Sequence, residues 1–140
     1  MMQKENLLNL QYILFCSHFI ESPDQVSIIG LLDGADVRGT VKRGDPVPDK
    51  VFPLKLVLGI NAPPGSYQVK LVITKPSGGV STTVDLEEFH ISKQEYVHRC
   101  VASLDMEVSE DGLYEFSVFV GGINIGKTAF PMSFVVEFED

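Results

Sequence analysis

The chain has 140 residues, 44% of them hydrophobic and 9% aromatic, and a formal net charge of −8. That length fits one domain with its own core, and the apolar content excludes a disordered segment. The acidic balance argues against general nucleic-acid binding, which needs a basic face to displace counterions, and against anionic membrane surfaces.

Residues 1–9 are expected to form a short helical or frayed start. Leu7, Leu8, Leu10, Ile13, Leu14 and Phe15 give the N-terminal region some likeness to a signal peptide. Glu5, Asn6, Asn9 and Gln11 interrupt the apolar run, and no small-residue cleavage site follows. A cytoplasmic protein is therefore expected. No run is long and apolar enough to cross a membrane.

Leu10 to Ile20 reads as the first strand, apolar on both faces, with Tyr12, Leu14 and Cys16 on one and Ile13, Phe15 and Phe19 on the other. Val26 to Leu32 is the second and Phe52 to Ile60 the third, with Leu54, Leu56, Leu58 and Ile60 inward. Residues 34–50 between them read as a long loop. Tyr67, Val69, Leu71 and Ile73 give the fourth strand its core face, and Val80 to Leu86 is a more polar edge. A turn of helix is expected within Glu87 to Glu95, with Ser92 as its cap. Tyr96 to Val108 is the sixth strand, placing His98, Cys100, Ala102, Leu104, Met106 and Val108 on one face.

Tyr114, Phe116, Val118 and Val120 alternate with mostly polar neighbours in the seventh strand, and Gly121-Gly122 then turns the chain into the last. Gly121 to Thr128 also matches the phosphate-cradling pattern G-x-x-x-x-G-K-T. That pattern works only between a strand and a helix N-terminus. Here Pro131 falls in the would-be first turns, and Phe130, Met132, Phe134, Val136 and Phe138 recur every second residue. A Gly-Gly hairpin with Gly126 as a bulge and no nucleotide is the expectation.

Short strands, frequent turn residues and little helix predict an all-β, antiparallel immunoglobulin-like β-sandwich of about 7–9 strands in a single domain, residues 1–140. Asp111-Gly112-Leu113-Tyr114 at a strand start fits a tyrosine corner, in which the ring fills the end of the core and the hydroxyl bonds nearby backbone. The order of segments resembles a family of short, uncharacterised bacterial all-β proteins. The resemblance rests on Val26 to Gly34, on Pro63-Pro64-Gly65-Ser66-Tyr67 and on Gly112 to Val118. It implies the fold and brings no activity.

Two constellations invite a functional reading. Cys16-Ser17-His18 and His98-Arg99-Cys100 each set a Cys and a His two residues apart, on one face of a strand. Antiparallel pairing with Cys16 opposite Cys100 would set His18 opposite His98, enough for a tetrahedral zinc site or, in an oxidising compartment, a disulfide. The other is the 34–50 loop, which holds Arg38, Lys42, Arg43 and Lys50 in an acidic chain and suits a partner with an acidic surface. No nucleophile elbow is present, and no cofactor is implied. The leading expectation is a non-enzymatic sandwich that binds another protein, or itself through an edge strand, with no nucleic-acid or membrane partner. A small-ligand or carbohydrate-binding module and a Cys/His zinc protein are the alternatives; without Trp the sugar-platform reading is the poorer.

Overall fold

Alternation of apolar and polar residues leaves little of the chain for a helix. The computed structural model describes residues 8–23, 25–46, 50–92 and 97–139, and these contain strands and turns only. The strands are β1 (Asn9–Ser22), β2 (Gln25–Leu32), β3 (Ala35–Lys42), β4 (Lys50–Asn61), β5 (Gly65–Tyr67), β6 (Val69–Thr74), β7 (Val80–Asp85), β8 (Phe89–Ile91), β9 (His98–Val108), β10 (Gly112–Val120) and β11 (Ile123–Glu139). One sheet has the order β2-β1-β4-β9, a second β3-β11-β10-β6-β7, and β5 pairs with β8.

The core lies between the two larger sheets and follows the period of two. Leu54, Leu56, Leu58 and Ile60 of β4 and Ala102, Leu104, Met106 and Val108 of β9 line one side. Val69, Leu71 and Ile73 of β6 and Tyr114, Phe116, Val118 and Val120 of β10 line the other. Phe15 bridges them, its ring centroid 4.9 Å from Phe116 and 4.6 Å from Phe130.

The all-β class holds, and four expectations are corrected. The architecture is mixed, because β3 pairs parallel with β11 from Ala35↔Met132 to Lys42↔Glu139. The strands outnumber the 7–9 expected, and the sheets curl into a half-barrel. The 34–50 loop is mostly strand β3. Val37 and Val41 are buried around Gly39, while Asp36, Arg38, Thr40 and Lys42 point to solvent. Charged residues at every second position disguise this alternation, and the partner strand comes from the far end of the sequence. The same holds on a smaller scale at Phe89–Ile91, where a helical turn was expected. Phe89 and Ile91 are buried around exposed His90, and the segment pairs with β5. Residues 1–7 of the start expected over 1–9, and residues 93–96, lie outside the described residues, while Asn9 already begins β1.

Two local expectations are met. Val120 pairs with Ile123 across Gly121 and Gly122, whose φ angles of 57° and 83° make the tight turn only glycines adopt readily. The register then slips so that Val118 faces Gly126 and Phe119 faces Asn124, which leaves Ile125 as the extra residue, one position before the bulge expected at Gly126. The G-x-x-x-x-G-K-T stretch is thus a turn followed by a strand, with no helix N-terminus to aim at a phosphate.

Tyr114 is fully buried, and its hydroxyl accepts from the Ser109 and Glu110 N–H groups at 3.2 Å each and donates to the Glu110 carbonyl at 2.9 Å. This hydroxyl pins the β9–β10 connection. Tyr114→Phe leaves two N–H groups without their acceptor, and the expected cost is about 1–2 kcal/mol in urea unfolding. An unchanged midpoint would mean that the corner does not hold the connection.

Candidate protein-binding edge

Strand edges are where a β protein meets other chains, because they carry unpaired N–H and C=O groups. The two larger sheets end in β2, β9, β3 and β7. β7 and β9 approach each other, and Ser81 Oγ donates to the Glu107 carbonyl at 2.7 Å. β3 is studded with Asp36, Arg38 and Lys42, the kind of charge that discourages strand addition. β2 differs. Its sequence, Gln-Val-Ser-Ile-Ile-Gly-Leu-Leu, has neither charge nor proline over 8 residues.

Geometry exposes this edge further. β1 pairs with β4 only as far as Cys16, yet pairs with β2 out to Ser22. Residues 17–22 therefore part from β4 and pair with β2 alone, a two-stranded stretch about 20 Å long at a strand's usual rise. Ile20 is 53% exposed, Ile29 50% and Leu31 60%. Leu31 is paired with Cys16 and Ile29 with His18, so these side chains share the outer face of the sheet. Gly30 shapes the hairpin. Its φ is +71°, and an added Cβ would collide with Ser17 Oγ. That hydroxyl instead donates to the Ile29 carbonyl at 3.0 Å.

The Cys/His set does not converge. β4 lies between β1 and β9, so the pairing that would oppose Cys16 to Cys100 does not form. Cys16 is in register with Lys55 on the outer face, and Cys100 with Leu58 on the core face. The four side chains thus sit on opposite sides of one sheet. Both cysteines are free thiols, and among the described residues no group of three or more His, Cys, Asp or Glu could hold a metal. Burial pushes the Cys100 thiol up to about 11 and also raises that of Cys16. His98 stacks on Phe89 at 4.1 Å, and His18 Nδ1 lies 3.4 Å from Lys55 Nζ. His98, Arg99 and Cys100 line one wall of an open cleft of about 480 Å³, with Asp85, Glu87 and Glu88 on the other.

Arg38, Lys42, Arg43 and Lys50 lie near the β3 edge but not on one face of it. Arg38 and Lys42 project from β3, Arg43 begins the turn after it, and the Lys50 side chain lies against Gly39. Acids accompany them. Arg38 Nη1 is 3.5 Å from Glu137 Oε1, and Glu139 is in register with Lys42. From sequence, Val80 to Leu86 was the expected edge. It is one, but β9 stands beside it. β2 was missed as the open edge, although its lack of charge was readable.

No protein-family model matches the chain, and no curated protein matches it. Among solved structures it is similar to the Pseudomonas fluorescens alkylpurine DNA glycosylase AlkC bound to DNA containing an abasic site analog. The identity is 14% and the TM-score 0.50, over 86% of this chain and 30% of that one. The chain thus spans under a third of the glycosylase's length, and the likeness is one of fold.

This match corrects two expectations. A non-enzymatic protein without a nucleic-acid partner was expected from the missing active-site motifs and the acidic charge. The same fold forms part of an enzyme bound to DNA, so neither exclusion stands.

Proposed function

We propose that the chain is a binding module that takes an extended segment of a partner protein as an added strand on β2. The observation that carries this reading is the uncharged strand β2 at the end of its sheet, with Ile29 and Leu31 half or more exposed. Strand addition draws affinity from main-chain hydrogen bonds and specificity from alternate side-chain contacts, and β2 offers both. An immunoglobulin-like sandwich of the kind found in short bacterial all-β proteins suits this role, and the Tyr114 corner supports that finer fold.

A second reading follows from the DNA-bound neighbour: contact with nucleic acid through Arg38, Lys42, Arg43 and Lys50 at the β3 edge. One experiment separates the two. A photo-reactive amino acid is placed at Ile29 in one variant and at Arg43 in another, and the products formed in the source cell are mapped. Strand addition predicts that the Ile29 reporter links to a polypeptide, at an extended segment, more than the Arg43 reporter does. Linkage to nucleic acid from Arg43, with none to protein from Ile29, would replace it by the second reading.

A further inference from the structure

The β1–β2 hairpin and its flanks are poor in cations. No lysine or arginine occurs between Asn9 and Val37, whereas Glu21, Asp33 and Asp36 do, in a chain whose formal net charge is −8. Glu21 and Asp33 bracket β2. Asp33 follows Leu32 directly, and Glu21 is paired with Val26 near the other end. Both are exposed, and neither has an ion-pair partner among the described residues. A cation that does reach the hairpin is the Lys55 ammonium, 3.4 Å from His18 Nδ1. His18 is paired with Ile29, so this ammonium is level with the middle of β2 and leaves both ends acidic.

An extended segment laid along Val26 to Leu32 meets no charge on β2, and on the outer face its side chains adjoin Ile29 and Leu31. Apolar residues at every second position suit that face. Past Leu32 the next residue of the segment falls beside Asp33, at cross-strand distance. Past Val26 it lies about 10 Å from the Glu21 backbone, two strand spacings, a gap that a glutamate and a lysine or arginine stem close between them. Carboxylates at either point would meet like charge, and the −8 of the whole chain adds to the repulsion. An apolar segment also needs charged neighbours to stay soluble while unpaired. Opposite β2 those neighbours have to be basic. Both directions of the added strand meet the same pattern, because an acid stands at each end.

We infer that β2 takes a segment of a partner protein that is apolar at alternate positions and carries lysine or arginine at both ends. This rests on the strand-addition reading and names the chemistry of its occupant. Main-chain hydrogen bonds hold the segment, while the flanking cations select it and speed its arrival.

The test is fluorescence anisotropy of labelled peptides of alternating valine and threonine, titrated with the full chain. One peptide ends in lysines on both sides and a second in glutamates. A third is the lysine peptide with adjacent central prolines, one of which removes a ladder N–H whichever way the strand faces. The lysine peptide should bind about tenfold more tightly than the glutamate peptide at low salt, the gap closing to about twofold at high salt, and the proline peptide should not bind. Asp33→Lys should weaken the lysine peptide about fivefold. Asp105→Lys makes the same change of net charge on β9, at the other end of the sheet, and should cost less than about twofold. Circular dichroism checks that the variants fold, and Glu21→Lys replaces Asp33→Lys if that variant does not. Equal affinity for the lysine and glutamate peptides, with the proline peptide silent, would overturn the basic flanks and leave strand addition standing. Equal losses from Asp33→Lys and Asp105→Lys would also overturn them, since the charge of the whole chain would then account for the preference. Undiminished binding of the proline peptide would overturn both the flanks and strand addition. No binding by any peptide would overturn the inference and leave strand addition to the Ile29 photo-reporter alone.

Discussion

Phe116→Ala is expected to lower the unfolding free energy by about 3–5 kcal/mol, enough to leave little of a typical domain's 5–15 kcal/mol. Phe116 is fully buried at the centre of β10 and touches both sheets through its neighbours. The Phe15 ring meets it edge-on at 4.9 Å and 69°, and Phe130 at 6.3 Å and 74°. Removing the ring takes away transfer energy and leaves a void whose walls are held by paired strands on both sides, so collapse is limited. Phe119→Ala, on the same strand but facing outward and partly exposed, is the control and should cost far less. Equal midpoints for the two variants in urea would show that β10 does not turn Phe116 toward the core.

Val37→Asp is expected to cost about 3–5 kcal/mol, combining lost apolar burial with a carboxylate placed where water is excluded. Val37 is 8% exposed and stands opposite Phe134 in the parallel β3–β11 pair. In a surface loop the same substitution would stay within about 0.5 kcal/mol. Thermal unfolding of Val37→Asp beside Arg38→Asp therefore distinguishes strand from loop. The second change sits at an exposed position and exchanges the Glu137 ion pair for a solvent-screened like-charge contact, with both side chains more than half exposed. A small effect at Val37 would mean that residues 35–42 do not pack as β3.

Most of the strands were readable because their period of two is carried by large apolar residues. Leu54 to Ile60 and Tyr114 to Val120 show this most clearly, and both face the core as the pattern demands. The Gly121-Gly122 turn was readable for a related reason: few sequences other than paired glycines accept two consecutive positive φ angles. β3 was hidden because its apolar positions are Val37, Gly39 and Val41, too small to stand out among Asp36, Arg38 and Lys42. Its pairing with a strand about a hundred residues away is non-local, and no local signal encodes it.

The candidate sites show the same division. Spacing of two correctly placed Cys16 with His18 and Cys100 with His98 on common faces of their strands. It carried no information about which strands are neighbours or which face of the sheet each pair occupies. β4 entering between β1 and β9 separates the pairs, and only topology decides that. The open edge, in contrast, is written in the composition of Gln25 to Leu32 but acquires meaning only once β2 is known to end its sheet.

The central claim is that β2 is where a partner strand adds. Amide hydrogen exchange, compared between the free protein and the protein carrying whatever partner the Ile29 reporter captures, addresses it most directly. The account predicts new protection concentrated in Gln25 to Leu32, with β3, β7 and β9 unchanged, because strand addition gives hydrogen-bond partners to one edge alone. Protection centred on Arg38 to Arg43, or on His98 to Ser103 along the cleft, with β2 still exchanging freely, would contradict it.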